Sequence, residues 1–485
     1  MSKGRLLASL VLGLTLLGTT FALAAERSTR KAGPRPSTQQ PRTFTDASGK
    51  YKLRATFVGV DEGVARLRKT DGSVIRVPLE RLSELDQAWI EKQGKAPSEA
   101  PGAAEGEWPG WRGPNRDGKS PDTGLLREWP AGGPKLLWKT NILGKGYSSV
   151  AVAGGTVYIT GEPADTLQLF ALDMDGRLKW QVPHGPAWTA SYPGARATPT
   201  IDGGNVYLLS GTGLVGCFDA RTGRGKWARN TREFGGSPGG WGYAESVLIL
   251  GNLAIFKPGG RNCIVAVDKQ TGRDVWVSRG FAAGPEYSSC LPLSYGNVQM
   301  IVTGTRGGIV AVNARDGALL WANDFAANNT ANCPTPAYSD GYVFWANGYG
   351  KGGICLRLGP GGTASEAWRT RDMDCHHGGY VIQDGYIYGN HGNGYACLDL
   401  KTGRKQWEER AVGKGSLCWA DGMLYLFGER GGEAALATCS PEGLEIKGRL
   451  KVEGDGTSWA HPVVVGGRLY LRYDTNLYCF DVKAP

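Results

Sequence analysis

Beyond residue 25 the sequence lacks any apolar run of the roughly 18 residues that a transmembrane helix needs. It also lacks any run of three or more consecutive lysines and arginines, although its formal net charge is +10. Part of that charge lies near the start, where residues 26–42 hold five basic residues against one acidic residue. Because the remainder is only mildly basic, we expect no nucleic-acid partner. Because no long apolar run is present, we expect no transmembrane segment in the mature protein.

The first 25 residues have the pattern of a secretory signal peptide. Lys3 and Arg5 precede an apolar stretch, LLASLVLGLTLLGTTFALA. That stretch ends in Ala22, Leu23 and Ala24, a small-x-small cleavage site, and an uncleaved anchor is the alternative. The lack of a cysteine after this site disfavours a lipoprotein. We therefore expect an exported protein that is periplasmic, secreted or associated with the cell envelope.

Residues 43–95 alternate apolar and polar residues at the period of a β-strand. The alternation predicts three strands, YKLRATFVGV, VARLRKT and VIRVPL. The following SELDQAWIEKQG predicts a short helix that Ser83 caps and Gly94 ends. Together these elements predict a small SH3-like barrel. Flanking segments rich in proline and small or polar residues, 26–42 and 96–107, are expected to be linkers, the first of them disordered.

This small unit is similar to the Sla-type homology domain. The runs that carry the resemblance are RTFTDASGKYKLRATFVGV and VARLRKTDGSVIRVPLERLSELD. The resemblance implies an SH3-like module that binds short peptide motifs. A spacer domain without such a ligand is the alternative.

The rest of the chain, 108–485, repeats one signature of an apolar strand, an Asp or Asn, a turn that ends in Gly, and a Trp. The clearest copies are ALDMDGRLKW, CFDARTGRGKW, AVDKQTGRDVW, AVNARDGALLW and CLDLKTGRKQW. Their spacing of roughly 40–50 residues is that of a four-stranded propeller blade. Because the Trp recurs in nearly every copy, we assign it to the seam between blades and not to catalysis.

The two ends of the repeat region complete each other. GPKLLWKTN near its start supplies an outer strand with Trp138, whereas LYCFDVKAP stops after a third strand. Pairing them closes the ring and removes a bare sheet edge. The predicted fold class is therefore all-β, an eight-bladed propeller preceded by a small SH3-like barrel.

The repeat region resembles the quinoprotein-like propeller family, which includes PQQ-dependent alcohol dehydrogenases and the BamB-type assembly factors. Further motifs that carry the resemblance are WPGWRGPNRDG, WGYAES, NCPTP, HHGG, GKGS and WAHPV. Because this family contains both enzymes and non-catalytic scaffolds, the resemblance implies the fold and leaves the function open.

Eight of the ten cysteines fall into two groups, and Cys263 and Cys439 lie outside both. Cys217, Cys355, Cys397 and Cys479 lie two residues before the Asp or its equivalent, a slot that alanine fills in the other repeats. We interpret these four as small buried core residues. A disulfide among the cysteines near the inner strands, 290, 333, 375 and 418, stays open. Adjacent cysteines, which form a vicinal disulfide in large quinoprotein dehydrogenases, are absent.

The repeat register places all five histidines on one face of the propeller. His184, His376, His377 and His461 precede or begin inner strands, and His391 follows a second strand. The same register brings other functional side chains to this face, namely Trp188, Trp241, Trp459, Arg196, Glu245, Asn332 and Lys414. We predict that this face binds ligands.

Two kinds of chemistry are open at this face. PQQ with Ca²⁺ requires cationic and polar contacts, a metal ligand and a base. The candidate cofactor contacts are Arg196, Trp241, Asn332, Lys414, Trp459 and His461, and Glu245 is the candidate catalytic residue, as metal ligand or base. His376, His377 and His391 are the candidate metal ligands, with Cys375 beside them.

The resulting hypothesis is an exported, non-catalytic binding or scaffold protein with a protein or peptide partner. Its propeller is BamB-like and tethered to an SH3-like recognition module. A PQQ-dependent alcohol or sugar dehydrogenase is the alternative, and a metal-binding propeller with hydrolytic or lyase activity is a third hypothesis.

Overall fold

The computed structural model describes residues 42–61, 64–71, 73–87, 90, 106–328 and 330–485. The chain divides into two compact units between Lys95 and Ala96. The predicted signal peptide and nearly all of both predicted linkers lie outside the described residues. Within the described part, no helix is long and apolar enough to cross a membrane.

The first unit is a four-stranded antiparallel sheet around a small apolar core. Its strands are Arg42–Thr45, Lys52–Asp61, Val64–Lys69 and Val74–Pro78, followed by the 3-10 helix Leu79–Arg81. The three predicted strands are present, and the four residues of Arg42–Thr45 were too few for alternation to reveal. The core holds Phe44, Ala55, Phe57, Ala65, Leu67, Leu82 and Ile90.

Ser83 caps a helical turn at residues 84–87, as its position predicted. The Asp86 amide donates to Ser83 Oγ at 3.2 Å, and the Asp86 carboxylate accepts from the Thr45 amide at 2.7 Å. This carboxylate therefore ties the turn to the first strand. The predicted end of the helix at Gly94 lies outside the described residues.

The second unit contains eight antiparallel blades, numbered 1–8, each with four strands called inner, second, third and outer; a fifth, parallel strand, Lys119–Ser120, joins blade 7. Their bounds, in that order, are as follows: blade 1, Ala151–Ala153, Thr156–Gly161, Thr166–Leu172, Leu178–Pro186; blade 2, Thr200–Asp202, Asn205–Leu209, Leu214–Asp219, Gly225–Asn230; blade 3, Leu248–Leu250, Leu253–Phe256, Val265–Asp268, Asp274–Val277; blade 4, Leu291–Tyr295, Val298–Thr305, Gly308–Asn313, Leu319–Asn323; blade 5, Ala337–Ser339, Tyr342–Asn347, Gly352–Leu358, Ala364–Thr370; blade 6, Tyr380–Gln383, Tyr386–His391, Gly394–Asp399, Lys405–Glu409; blade 7, Gly415–Ala420, Met423–Gly428, Glu433–Thr438, Ile446–Lys451; blade 8, Val463–Val465, Arg468–Tyr473, Asn476–Asp481, Lys135–Thr140. Two 3-10 helices, Thr231–Phe234 and Pro360–Gly362, lie after the outer strand of blade 2 and before that of blade 5. The predicted eight blades are confirmed.

Blade 8 is assembled from both ends of this unit. Its outer strand, Lys135–Thr140, pairs antiparallel with Asn476–Asp481 from the end of the chain. Trp138 lies opposite Cys479 in this register, just as each blade Trp lies opposite the small residue of its own third strand. The predicted ring closure is therefore confirmed.

The repeated Asp, Gly and Trp form one contact that joins neighbouring blades. In blade 3, Asp268 Oδ1 accepts from the amide and hydroxyl of Thr271 and so holds the turn. The turn presents Gly272, at φ +70°, to the Trp227 ring of blade 2, which would lie 2.9 Å from an added Cβ. Trp227 Nε1 donates to the Lys269 carbonyl at 2.9 Å. The Trp therefore covers the seam, as predicted.

In seven of the eight blades the small slot of the third strand lies directly across from that Trp, and in blade 7 Ala437 lies across from Ile446 instead. Cys217 pairs with Trp227 and Ala266 pairs with Trp276. All eight slot residues are fully buried: Ala171, Cys217, Ala266, Ala311, Cys355, Cys397, Ala437 and Cys479. All ten cysteines fall within the described residues and all are free thiols, so the disulfide left open by the sequence is not formed.

Residues 108–120, called the plug segment, run among the inner strands of the ring. The Trp108 amide donates to Val152 in blade 1, and Trp111 Nε1 donates to Thr335 Oγ1 just before blade 5. Farther along, the two-residue strand Lys119–Ser120 pairs in parallel with the inner strand of blade 7. Because its contacts reach blades 1, 5 and 7, the segment crosses the space between the inner strands.

His184 is placed differently from the prediction, because it lies inside the outer strand of blade 1 and not in the loop that follows. Its ring is buried edge-on against Phe218, and Nε2 lies 2.9 Å from the Leu214 carbonyl. The outer strand extends to Pro186, three to five residues longer than most of its counterparts, and so includes the histidine.

This burial predicts acid sensitivity. Desolvation lowers the pKa of His184 from 6.5 to about 4, so the unfolded chain takes up the proton first as the pH falls. Stability should fall between pH 6.5 and 4, by up to about 3 kcal/mol from this group. Urea unfolding of wild type and His184→Gln across this range measures the effect. The glutamine amide keeps a donor for Leu214, and an unchanged pH profile in the variant would contradict the assignment.

Candidate functional site

A cavity of about 180 Å³ opens at the loops that lead into the inner strands, called the inner-strand loops. Aromatic rings dominate its wall. These rings belong to Trp111, Tyr147, Tyr192, Trp241, Tyr287, Tyr349 and Trp459. The polar side chains of the wall are those of Arg196, Ser289, Cys333, His376 and His377. No aspartate or glutamate is among the described residues that line it.

The wall is assembled from nearly the whole ring. Blades 1–6 and blade 8 each contribute a residue from the inner-strand loop, for example Tyr147 in blade 1 and Trp459 in blade 8. Tyr349 comes instead from the loop between the second and third strands of blade 5, and Trp111 from the plug segment. The cavity therefore lies on the face that the repeat register singled out.

Five rings form a continuous stack along one side of the cavity. The Tyr349 ring packs edge-on against His376, with centroids 4.6 Å apart. His376 and His377 follow at 3.5 Å, and His377 stacks on Trp459 at 4.3 Å. Trp459 then stacks on Tyr147 at 4.4 Å. Stacked rings hold one another in place, so this side of the cavity is preorganised.

Two tyrosines at the cavity are exposed in a backbone conformation that side chains rarely adopt. Tyr192 is 53% exposed with φ +54°, and Tyr349 is 58% exposed with φ +60°. Both the exposure of a large ring and the left-handed backbone carry a cost. Such outliers concentrate at binding and catalytic sites, which supports a ligand role for this face.

His376 is hydrogen-bonded through both ring nitrogens. Its Nδ1 lies 2.9 Å from Lys414 Nζ, and its Nε2 lies 2.7 Å from the Tyr349 hydroxyl. Lys414 also pairs with Glu429 at 2.8 Å. Burial, with the nearby Lys414 charge, lowers the pKa of His376 to about 3, so the ring is neutral at pH 7. A neutral ring accepts from Lys414 through Nδ1 and donates to Tyr349 through Nε2.

The other two candidate histidines lie away from the cavity wall. His461 is 6% exposed, and its Nε2 lies 2.9 Å from the His377 carbonyl, so it supports the stack from below. His391 Nδ1 accepts from the Asp374 amide at 2.9 Å, and its Nε2 lies 3.6 Å from Glu408. The structure therefore brings His376 and His377 together but leaves His391 with other partners.

Glu245, the candidate catalytic residue, is buried and does not line the cavity. It is 1% exposed, and its Oε2 lies 3.7 Å from Lys257 Nζ. The Lys257 amide donates to its other oxygen. Burial raises the pKa of Glu245 despite the opposing charge of Lys257. Glu245 and Lys257 therefore form a buried ion pair that a ligand in the cavity does not contact.

Of the remaining candidate cofactor contacts, two line the cavity and two lie behind its wall. Trp241 and Arg196 line the cavity. The Arg196 guanidinium donates to the carbonyls of Ser191, Tyr192 and Gly194 and lies 5.7 Å from the Tyr147 ring centroid. It therefore also holds the Tyr192 loop.

Asn332 and Lys414 act behind the wall. Asn332 is fully buried, and its side-chain amide bonds with the backbone of Ala327 in both directions. Lys414 reaches the site only through His376. Neither residue lines the cavity.

Several cavity residues were not singled out from the sequence. Trp111 and Cys333 lie within the quoted motifs WPGWRGPNRDG and NCPTP, but no spacing rule placed them beside the histidines. Tyr147 and Tyr287 lie four residues before their inner strands. Aromatic residues at this offset were a usable signal, because inner-strand loops meet on one face.

The eight blades, closed into a ring, define a quinoprotein-like propeller. Residues 184–409 match the family model described as outer membrane protein assembly factor BamB. Residues 32–97 match the SLA1 homology domain 1. The chain thus resembles the BamB-like PQQ-repeat propellers over residues 184–409 and the SLA1 homology domain near its N-terminal end, as the motifs predicted.

Individual relatives agree with both assignments. BamB of Moranella endobia is 26% identical over 252 residues, which are 47% of this chain and 61% of that protein. The quinoprotein alcohol dehydrogenase PedH of Pseudomonas putida is 29% identical over 198 residues, 38% of this chain and 30% of that protein. The SLA1 protein of Mycosarcoma maydis is 40% identical over 57 residues, 12% of this chain and 5% of that protein. The chain thus spans less than two thirds of each of these relatives.

Solved structures show the same fold. BamB from Moraxella catarrhalis superposes with a TM-score of 0.53 at 15% identity, over 72% of this chain and 99% of that chain. The quinohemoprotein alcohol dehydrogenase from Comamonas testosteroni gives 0.56 at 13% identity, over 79% and 82%. At these identities the similarity establishes the architecture alone.

Proposed function

We propose that the chain is an exported, non-catalytic binding or scaffold protein whose cavity receives side chains of a protein or peptide partner. The observation that carries the proposal is the wall itself, seven aromatic rings and Arg196 without an acidic residue among the described lining. Aromatic residues and arginine dominate the energetic centres of protein interfaces. The exposed rings of Tyr192 and Tyr349 extend this surface beyond the cavity.

The volume of the cavity favours side chains over a cofactor. About 180 Å³ is smaller than the roughly 300–1,000 Å³ of typical small-molecule sites. One or two apolar side chains suit such a space.

The residues present do not fit PQQ with Ca²⁺. Calcium takes six to eight oxygen ligands, roughly, and prefers carboxylates. Glu245, the only candidate acid, is buried in its pair with Lys257, and Lys414 is held behind His376. Of the two cationic candidates for contacting PQQ, Arg196 and Lys414, only Arg196 lines the cavity. We therefore derive no oxidation step at this site.

The SLA1 homology domain supports a tethering role. A second recognition unit, joined through a segment rich in Pro, Ala and Gly, would hold one partner while the propeller binds another. The leader-like first 25 residues favour export, and the relative from Moranella endobia is an outer membrane protein assembly factor. The location we propose is periplasmic or at the cell envelope.

Trp459→Ala is expected to weaken peptide binding at least about tenfold, because this ring joins the two halves of the stack. Peptides selected from a random library on the full mature chain serve as probes, and tryptophan fluorescence reports their affinity. Leu178→Ala, at a 47% exposed position on an outer strand, is the matched control. Equal affinity of W459A and wild type would place the binding elsewhere. Stoichiometric PQQ binding with alcohol-dependent dye reduction would overturn the non-catalytic function.

A further inference from the structure

Three soft or borderline metal ligands meet at one edge of the cavity. Cys333, on the inner-strand loop of blade 5, faces His376 and His377 on that of blade 6. One ligand atom from each residue lies within 4.8 Å of the other two. Because the residues come from separate loops, only the assembled propeller brings them together.

The spacing is close to that of a metal site. Zinc–nitrogen bonds of about 2.0–2.1 Å and a zinc–sulfur bond of about 2.3 Å place tetrahedral ligand atoms roughly 3.3–3.6 Å apart. Ligand atoms within 4.8 Å therefore need to move together by about an ångström or slightly more. Rotation of side chains on loops supplies such a movement.

His377 has a ring nitrogen that lacks another partner. Its Nδ1 is buried and has no hydrogen-bond partner among the described residues. An unpaired buried nitrogen costs free energy, which a bound cation would recover.

A metal ion can bind His376 only in competition with the hydrogen-bond partners of this ring. Both of its nitrogens are engaged, one with Lys414 Nζ and one with the Tyr349 hydroxyl. A cation must displace one of these contacts. The Lys414 ammonium also repels a cation at short range, although its pairing with Glu429 offsets part of this charge.

We propose that Cys333, His376 and His377 bind one transition-metal ion of the zinc or copper class, with Lys414 as a competitor for His376. The fourth coordination position faces the cavity, since all three residues line it. Thiol and imidazole select such ions, whereas Ca²⁺ and Mg²⁺ prefer oxygen ligands. Binding converts the Cys333 thiol to a thiolate, and its proton passes to the solvent.

This site goes beyond the proposed partner binding and does not rest on it. It also differs from the ligand set expected from sequence, because Cys333 takes the place of His391. His391 is hydrogen-bonded to the Asp374 amide and lies near Glu408. The two sets are therefore separable by mutation.

Co²⁺ titration of the full mature chain, freed of metal by chelation, tests the proposal. A thiolate-to-cobalt charge-transfer band should rise to one equivalent, and Zn²⁺ should displace it. Cys333→Ser is expected to abolish the band and to weaken Zn²⁺ binding more than about 100-fold, beyond the 10–100-fold loss that outer-shell changes cause. Lys414→Met should bind Zn²⁺ about tenfold more tightly, because a charged donor no longer competes for His376.

Two controls make the outcome decisive. Cys439→Ser, which changes the other partly exposed thiol, and His391→Ala should both retain the band. A wild-type chain without stoichiometric Co²⁺ binding would overturn the proposal. Retention of the band in C333S, or its loss in H391A, would also overturn it. Peptide affinity, measured separately on the same variants, keeps this result independent of the proposed partner binding.

Discussion

Replacing Lys257 with methionine is expected to lower the free energy of unfolding by about 3–5 kcal/mol, the range for removing one partner of a buried ion pair. Lys257 is 0% exposed and lies 3.7 Å from Glu245. Its ammonium also donates to Thr303 Oγ1 at 3.0 Å, to the Gly304 carbonyl at 3.1 Å and to the Ser288 carbonyl. These acceptors belong to blade 4, so the lysine joins blade 3 to its neighbour. Methionine fills similar space but donates to none of them.

The pH dependence of this loss separates charge from packing. Burial raises the pKa of Glu245, and removing Lys257 removes the attraction that opposes this rise. A carboxyl whose folded pKa is raised loses stability as the pH increases through that pKa. The deficit of K257M should therefore be larger at pH 7 than near pH 4.5, the ordinary pKa of glutamate.

Urea unfolding of the single and double variants measures the coupling. Glu245→Gln keeps an oxygen for the Lys257 amide, so the double variant E245Q/K257M should recover part of the loss. If the loss of unfolding free energy did not change with pH and were equal in K257M and in the double variant, the loss would come from packing alone. Folding of E245Q with normal peptide affinity would agree with a structural role for this acid.

Trp276→Ala is expected to cost about 3–5 kcal/mol, the range for truncating a large core ring. Trp276 is 8% exposed, and its Nε1 donates to the Ala314 carbonyl of blade 4 at 3.2 Å. Its ring also covers Gly317, where an added Cβ would lie 2.6 Å from the ring. Removing the ring leaves a void between blades 3 and 4 and an unpaired carbonyl.

The neighbouring residue provides a matched control. Val275 lies next to Trp276 on the same outer strand but points to the opposite side and is 50% exposed. Val275→Ala should change the free energy of unfolding by less than about 0.5 kcal/mol. Urea unfolding followed by circular dichroism compares the two variants. Equal effects would contradict the assignment of the repeated Trp to the seams.

Much of the propeller was predictable because its signals are local and repeated. Asp268, Gly272 and Trp276 recur at nearly constant spacing, since each turn requires a side-chain acceptor, a left-handed residue and a ring for the next seam. The closing strand followed from Trp138, whose repeat lacked its first three strands. The N-terminal strand at Arg42–Thr45 was missed because four residues carry too little periodicity.

Much of the candidate site was not predictable, because its residues meet across long separations. Cys333 looked like one of several scattered thiols, and only the packing of blades 5 and 6 places it beside His376 and His377. Trp111 belongs to a segment without strand periodicity that enters the ring. Glu245 was placed on the correct loop, but its side chain points into the interior toward Lys257.

The sequence by itself determined the blade count, the ring closure and the face on which the inner-strand loops gather. These properties follow from strand period and turn chemistry, which act within a few residues. Only the tertiary structure decided which side chains reach the cavity, because the irregular backbone of a loop can direct a side chain to either side. Their direction depends on partners from other blades, as His391 with Asp374 and Glu408 shows. Catalysis, metal binding and partner recognition all depend on that second level.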